Sequence, residues 1–371
     1  MSHDLSPIVC SEHSLAGGYV LAQAELSVAA TLNSLSLEMT RLLTAALESW
    51  ATREYVAVVL ITGSGEKAFC AGGDIQALYH AIGANHAAGS IVDDYPFRFF
   101  EEEYRLDYQL HTYPKPVVCI GHGIVMGGGL GIFSASKYRV ITERSRLAVP
   151  EITIGLFPDA GASWTLRNMP GHFASFLGLS GSHANAADAM LAGMGTHTVA
   201  HDARHSVSVQ LQQLPLTADA ARNAELIEES LGQLTPVTLP DSELSAVPER
   251  AVLVEDFEAE IAATVALEGT SAWIDRGINN LRNGCPTTAG IVVEQLRRVP
   301  HMTLADTFRM ELTVGTHCAT NTDFREGVRA LLIDKDNQPA WKFGSLAELE
   351  WPHVLSHFEA PWPDHPLADL G

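Results

Sequence analysis

The run VAVVLIT at Val56–Thr62 consists only of apolar and β-branched residues. Such a continuous run is typical of a strand that is buried on both faces of a sheet. Weaker runs predict further strands over Val117–Ile120 and Tyr138–Thr142. Apolar residues at helical spacing predict one helix over Leu35–Trp50 and another over Asp74–Ile82, with an aspartate as N-cap of the second. Because strands and helices alternate along the chain, the sequence predicts an α/β fold.

The character of the sequence changes after about residue 215. The stretch Asn223–Leu234 is rich in glutamate with leucines at helical spacing, and among the later runs AVLVE at Ala251–Glu255 is typical of a strand. We therefore expect an α/β core over residues 12–215 and a mostly helical region over residues 216–371. The second region is expected to pack on the first as part of one continuous enzyme unit.

The chain is acidic, with 44 Asp and Glu against 23 Lys and Arg and a formal net charge of −21. A field of this sign repels phosphate backbones and anionic lipids, so binding to nucleic acids or membranes is not expected. The apolar runs are too short to span a bilayer, and the start lacks a basic cluster followed by an apolar run. The 5 cysteines contain no CxxC pair, which argues against a disulfide framework or a zinc ribbon. The sequence predicts a soluble cytoplasmic protein.

Two glycine-rich turns, Phe69–Asp74 and Gly121–Gly129, each follow a predicted strand and lead into a predicted helix. Backbone N–H groups at a helix N-terminus favour a negative charge, so both turns are candidate anion sites. One alternative is that the glycines only permit tight turns. Another is that Gly121, Gly123 and Gly127 form a dinucleotide-binding fingerprint with Glu143 as the ribose acid, although that fingerprint usually lies in the first βα unit of its domain.

The segment from residue 147 to 162, LAVPEITIGLFPDAGA, contains only two ionisable residues, Glu151 and Asp159. Apolar surroundings raise the pKa of a carboxyl group and suit it to acid, base or nucleophilic chemistry. The alternative is that both are solvent-facing cap or turn residues.

Three histidines, at positions 197, 201 and 205, recur every four residues, a spacing that would suit a metal site on a helix. The stretch around them has few helix-stabilising residues, so we expect a solvated histidine-rich loop and no metal. The sequence contains neither the serine-nucleophile motif GxSxG nor a phosphate-binding GxxxxGKS or GxxxxGKT loop.

Three segments resemble the enoyl-CoA hydratase/isomerase, or crotonase, superfamily in the right order. They are KAFCAGGDI at Lys67–Ile75, KPVVCIGHGIVMGGGLG at Lys115–Gly131 and PEITIGLFPDAGA at Pro150–Ala162. Within it, FFEEEYRL at Phe99–Leu106, the FPD ending at residue 159 and DFREGVRALLIDKDNQPAWK at Asp323–Lys342 resemble the 3-hydroxyisobutyryl-CoA hydrolase branch. The motifs cover the chain from about residue 31 to residue 342.

The resemblance implies a crotonase-type spiral of ββα units with a helical C-terminal region, and a site for an acyl-CoA thioester. It assigns the backbone N–H groups of Gly73 and Gly128 to an oxyanion hole, a preformed pair of donors for the thioester oxygen. It assigns catalysis to Glu151 and Asp159, and it adds Glu103 as a further substrate contact, for which a solvated helical glutamate is the alternative.

The resemblance also bears on the reaction. Hydratases of the superfamily carry a second catalytic carboxylate where this chain has Gly131. Hydrolysis of a short 3-hydroxyacyl-CoA, with 3-hydroxyisobutyryl-CoA of valine catabolism as the expected substrate, is therefore favoured over hydration. No metal or other cofactor is expected, and the protein could form a homo-oligomer. The alternatives are a hydratase or isomerase on the same fold, a nicotinamide-dependent enzyme and a non-catalytic CoA-binding relative.

Overall fold

In the computed structural model, which describes residues 6–248 and 256–371, the strands form two sheets. The larger sheet has the order β1-β2-β3-β5-β7-β9 and the smaller sheet has the order β4-β6-β8. The strands are β1 Ile8–Ser14, β2 Val20–Leu26, β3 Val56–Gly63, β4 Ala68–Cys70, β5 Val117–Gly121, β6 Ile124–Met126, β7 Tyr138–Ile141, β8 Arg146–Ala148 and β9 His197–Thr198.

Two α-helices follow the two glycine turns, and helices make up most of the C-terminal part. The α-helices are α1 Leu37–Thr52, α2 Ile75–Ala88, α3 Tyr95–His111, α4 Gly128–Ala135, α5 Ala162–Leu166, α6 Phe173–Ser180, α7 Ala186–Leu191, α8 Ser206–Gln212, α9 Ala220–Gly232, α10 Phe257–Val265, α11 Ala272–Asn283, α12 Pro286–Arg298, α13 Leu304–Thr320, α14 Asp323–Val328 and α15 Trp351–Ser356. A π-helical turn, Arg329–Ile333, continues α14.

The strands repeat in pairs, and this gives the spiral. A strand of the larger sheet is followed by a short strand of the smaller sheet and then by a helix, as in β3-β4-α2 and β5-β6-α4. In the larger sheet, β1 and β2 are antiparallel with Ile8 opposite Leu26, and the pairs from β2 to β9 are parallel. The predicted α/β class and the crotonase-type spiral are confirmed.

The predicted elements are present with shifted ends. The apolar run from Val56 is β3, fully buried from residue 56 to 61. The first helix begins at Leu37 because the Ser36 side chain accepts a hydrogen bond from the backbone N–H of Met39 at 3.2 Å and caps it. Asp74 caps α2, as predicted, by accepting from the N–H of Ala77 at 3.1 Å. The strand predicted over Ala251–Glu255 lies outside the described residues.

The described chain divides into two units, each assembled from separate stretches. The first unit contains residues 6–73, 106–147 and 185–242, and the second contains residues 74–105, 148–184, 243–248 and 256–371. The predicted boundary at residue 215 stays a prediction.

In the first unit, inward side chains of the larger sheet pack against α8 and α9. Val58, Leu60 and Val118 from the sheet share one buried cluster with Val207 of α8 and Ile227 of α9. Burial of this apolar surface stabilises the parallel strands of the larger sheet, and β3 and β5 of that sheet directly precede the short strands that carry the glycine turns.

In the second unit, the core is formed between helices. Phe176 of α6 and Trp273 of α11 pack with ring centroids 5.1 Å apart, and α12 is buried along most of its length. No helix within the described ranges has the length and apolar character needed to cross a membrane.

Candidate active site

The candidate carboxylates of the second unit are buried. Glu103, Glu151 and Asp159 expose 2%, 4% and 6% of their surface. Glu103 lies on α3, Glu151 opens a 3₁₀ turn, Glu151–Thr153, directly after a proline, and Asp159 precedes α5. The interpretation of these groups as solvent-facing cap, turn or helix residues is therefore wrong. Buried carboxyl groups are rare without a partner, so each needs a physical reason.

Glu151 keeps one oxygen without a partner. Its Oε2 atom is buried and accepts no hydrogen bond from the described residues. Burial raises the pKa of this carboxyl group well above its ordinary value, and the charge of Asp159 raises it further. The open position at Oε2 can accept a hydrogen bond from a polar group of a ligand, and such a bond would favour the ionised form that burial disfavours.

Asp159 is stabilised by a tyrosine. The hydroxyl of Tyr104, a fully buried side chain of α3, donates a hydrogen bond to Oδ2 of Asp159 at 2.8 Å. Burial raises the pKa of Asp159 to about 6, while the Tyr104 hydroxyl and the residue's own backbone N–H lower it. The result is a carboxyl group that exchanges its proton close to neutral pH.

Glu103 differs from its acidic neighbours on α3. Glu101 forms an ion pair with Arg105 at 3.1 Å, whereas Glu103 points into the unit, and its Oε1 atom has no hydrogen-bond partner within the described residues. Burial raises the pKa of Glu103 well above the ordinary range, with further contributions from the charges of Asp159 and Glu311.

A fourth buried carboxylate, Glu311 of α13, is absent from the sequence-based predictions. Its Oε2 accepts the backbone N–H of Gly161 at 2.7 Å and its Oε1 accepts the N–H of Ser163 at 3.0 Å. Burial raises the pKa of Glu311 to about 8, although these hydrogen bonds oppose the shift. One signal was available in the sequence, since Glu311 lies on the apolar face of α13 with Phe308 and Leu312.

The two glycine turns lie together in the first unit. The short strands β4 and β6 are parallel neighbours, so Gly73 and Gly128 each follow a strand end at the same edge. A Cβ atom placed on Gly72 would lie 3.5 Å from the carbonyl oxygen of Met126, which shows how closely the turns approach. Gly128 is the first residue of α4, where the backbone N–H has no partner inside its own helix.

The dinucleotide fingerprint does not fit this geometry. Strand β6 lies between Gly123 and Gly127, so the glycines do not form one strand–turn–helix junction as that motif requires. Gly123 is needed for a different reason, because a Cβ there would lie 2.1 Å from the carbonyl oxygen of Lys67. Glu143, the proposed ribose acid, accepts a hydrogen bond from the backbone N–H of His201 at 2.9 Å.

The histidine-rich stretch contains a buried member, contrary to the prediction of a solvated loop. His201 is fully buried and its Nε2 lies 2.9 Å from Oε2 of Glu66, whereas His205 is exposed. Arg204 also donates a hydrogen bond to Glu66, from Nη2 to Oε1 at 2.6 Å. His201, Arg204 and Glu66 therefore form a hydrogen-bonded group that supports the fold. Within residues 6–248 and 256–371, no group of three or more His, Cys, Asp or Glu side chains could hold a metal ion.

Comparison with known proteins agrees with the resemblance. The family model described as enoyl-CoA hydratase/isomerase matches residues 21–358. A curated relative from Danio rerio, 3-hydroxyisobutyryl-CoA hydrolase, mitochondrial, is 35% identical over 85% of this chain and 81% of its own. A relative with another name, small ribosomal subunit protein mS47 of Neurospora crassa, is 34% identical over 89% of this chain and 68% of its own.

A solved structure shares the whole fold. The carnitinyl-CoA dehydratase from Mycobacterium thermoresistibile superposes with a TM-score of 0.82 at 29% identity, and the match covers 98% of both chains. The predicted cytoplasmic location is wrong by the same comparisons, because the Danio rerio protein and further hydrolase relatives are named as mitochondrial. The predicted superfamily is confirmed, and the predicted hydrolase branch is confirmed by relatives of that name. This chain belongs to the enoyl-CoA hydratase/isomerase family.

Proposed function

We propose that this protein hydrolyses the thioester of a short 3-hydroxyacyl-CoA, with 3-hydroxyisobutyryl-CoA as its substrate and free CoA and the 3-hydroxy acid as products. The observation that carries the proposal is that Glu151 and Asp159 are both buried, with Oε2 of Glu151 left without a hydrogen-bond partner among the described residues. The charge of Asp159 also raises the pKa of Glu151. The likeness to the relatives named as hydrolases supports the same reaction. This reaction would place the protein in valine breakdown.

The oxyanion hole is assigned to the first unit. The backbone N–H groups of Gly73 and Gly128 stabilise the negative charge that develops on the thioester oxygen. Their positions after β4 and β6 support this role, because helix N-termini favour negative charge and rigid backbone donors need no reorganisation.

Glu151 is assigned the attack. It either adds to the thioester carbonyl carbon itself, or it removes a proton from the water that adds there. In the first route the C–S bond breaks and leaves a mixed anhydride with Glu151, which a water molecule then hydrolyses to the 3-hydroxy acid and the free Glu151 carboxylate. In the second route the water oxygen stays on the acyl carbon as the C–S bond breaks. In both routes the CoA thiolate leaves and takes up a proton. In the general-base route Glu151 accepts a proton from the water. A carboxyl group with a raised pKa can then return that proton to the CoA thiolate.

Asp159 and Glu103 are assigned the water and the substrate hydroxyl. Asp159 has a pKa of about 6, so its ionised form is populated at neutral pH and can orient a water molecule. The unpartnered Oε1 of Glu103 is a buried acceptor that a 3-hydroxyl group would satisfy, and an acyl chain without that hydroxyl would leave it unsatisfied.

Hydration of a double bond is the competing reaction. A hydratase of this superfamily would need a second carboxylate on α4, where this chain has Gly131, a buried glycine. Incubation of the purified protein with 3-hydroxyisobutyryl-CoA, 3-hydroxypropionyl-CoA and crotonyl-CoA separates the two. We expect free thiol from the hydroxy esters, without added metal or nicotinamide, and no loss of enoyl absorbance from crotonyl-CoA. Loss of that absorbance without thiol release, an absolute need for a nicotinamide, or inhibition by a chelator would overturn the proposal.

A further inference from the structure

The turn that follows Asp159 is in an unusual backbone conformation. Ala160 and Gly161 have φ angles of +54° and +78°, so two successive residues lie in the left-handed region. This region disfavours alanine. The conformation of the turn decides the direction of the Asp159 side chain, and something outside the turn must hold it.

The side chain of Glu311 binds this turn through two hydrogen bonds. Its two oxygens accept the N–H groups of Gly161 and Ser163, one at each side of Ala162. Ser163 is fixed further, because Gln295 of α12 donates to its hydroxyl at 2.7 Å and to the carbonyl oxygen of Pro158 at 3.0 Å. The turn is therefore bound on both sides of Asp159 by side chains of α12 and α13.

The same helix supports the other contact of Asp159. Phe308, one turn before Glu311 on α13, packs against the ring of Tyr104 with centroids 6.2 Å apart. A Cβ on Gly315, one turn after Glu311, would lie 3.3 Å from the Tyr104 hydroxyl, so the absence of a side chain there leaves space for the hydroxyl. One face of α13 thus fixes both the tyrosine that donates to Asp159 and the turn that carries it.

We propose that Glu311 is a positioning residue of the hydrolase: its carboxylate fixes the backbone turn that aims Asp159, and it acts on the rate of the chemical step through Asp159. The inference rests on the proposed function. Glu311 itself touches no reacting atom in this account.

A glutamate is needed at this position because, in its ionised form, it has two acceptor oxygens, one for each N–H group of the turn. A glutamine has a single acceptor oxygen, and its NH₂ group would face one of the two N–H donors of the turn. One backbone donor would then be buried without a partner, which favours a different conformation of the turn. An aspartate keeps both acceptors but is shorter by one methylene group.

The test is a double-mutant cycle on thiol release from 3-hydroxyisobutyryl-CoA. Glu311→Gln should lower kcat on the order of 10-fold or more and change KM by less than about three-fold, since positioning affects chemistry more than binding. In the Asp159→Asn background, Glu311→Gln should lower kcat by less than about two-fold further, because residues that act through one another are not additive. Glu311→Asp should show the same pattern and serves as the second variant if Glu311→Gln does not fold.

The matched control is Glu294 of α12. This glutamate is also fully buried, but its carboxylate forms ion pairs with Arg297 and Arg298 at 2.7 and 2.6 Å. Glu294→Gln should lower the melting temperature and leave kcat within about two-fold.

If the wild type hydrolyses the substrate, three outcomes would overturn the positioning role of Glu311. They are unchanged kcat in both Glu311 variants, a loss confined to KM, or equal loss in the presence and absence of Asp159. Absence of thiol release by the wild type overturns the proposed function instead, so the two failures are distinguishable.

Discussion

The Tyr104 hydroxyl donates a 2.8 Å hydrogen bond to Asp159 across 55 residues of sequence. This bond favours the ionised carboxylate, and burial favours the protonated carboxyl group. The two effects leave the pKa of Asp159 at about 6, which is within reach of physiological pH. The hydrogen bond therefore sets the pH range in which Asp159 is ionised.

Removal of this hydroxyl should shift the pH profile. In Tyr104→Phe the burial remains and the stabilising hydrogen bond is lost, so the pKa of Asp159 rises above 6. Since the proposed role uses the ionised form, the acidic limb of kcat/KM moves to higher pH. The measurement is the rate of thiol release between pH 5 and 9.

Tyr113→Phe is the control for this shift. Its hydroxyl also donates a hydrogen bond, but the acceptor is the carbonyl oxygen of Leu47 at 2.7 Å, within the first unit. The acidic limb of the kcat/KM profile of Tyr113→Phe should therefore stay at the pH of the wild type. An unshifted limb in Tyr104→Phe, or a limb at lower pH, would contradict the assignment of Asp159.

Proline at Gly128 tests the oxyanion hole. Proline is favoured at the first position of a helix, so Gly128→Pro should keep α4 while it deletes the N–H donor. Loss of one oxyanion donor typically costs about 10²–10³-fold in kcat. Gly128→Ala keeps the donor and should retain far more activity. Near-normal turnover of a folded Gly128→Pro variant would refute the role, and circular dichroism establishes that it is folded.

Glu103 should reduce stability at neutral pH. Its pKa is raised on folding, so the folded state binds a proton more tightly than the unfolded state. Stability is then greatest below the unfolded pKa and falls as pH rises toward the folded pKa, with a slope of about 1.4 kcal/mol per pH unit. Glu103→Gln removes the titrating group, so this loss of stability with rising pH should disappear.

Urea unfolding between pH 4 and 8 checks the prediction. The free energy of unfolding of Glu103→Gln should exceed that of the wild type increasingly as pH rises, and turnover should fall. Glu102→Gln, at the adjacent and less buried position of α3, is the control for the loss of one carboxyl group. Parallel stability curves for Glu103→Gln and the wild type would mean that Glu103 is not a buried, strained carboxyl group.

Much of the fold was predictable because it follows from local patterns. The run from Val56 to Ile61 has no polar residue that could face water, which leaves only a buried strand. Asp74 begins α2 because its side chain reaches a backbone N–H three residues later, a relation visible in the sequence. The two glycine turns and the apolar setting of Glu151 and Asp159 were visible in local patterns. The roles predicted for these residues, and for Gly73 and Gly128, come from the family motifs.

The rest of the candidate site depends on contacts between distant residues. Glu311 bonds to Gly161 across 150 residues, and no local pattern encodes that approach. The tyrosine in FFEEEYRL belongs to a family motif, but its hydrogen bond to Asp159 depends on how α3 packs in the second unit. His201 was misjudged for a similar reason, since its burial depends on Glu66 and Arg204, which approach it only in the folded chain.

The proposed hydrolysis depends most directly on the attack of Glu151 on the thioester. The most direct measurement is the kcat of thiol release from 3-hydroxyisobutyryl-CoA for the wild type and for Glu151→Gln, which keeps the size of the side chain and removes the charge that a nucleophile or base needs. We expect the wild type to release CoA and the variant to lose about 10²–10⁴-fold in kcat, the usual contribution of a general base, with little change in affinity for the CoA ester. A folded Glu151→Gln protein that keeps more than about a tenth of the wild-type kcat, well outside that range, would contradict the account.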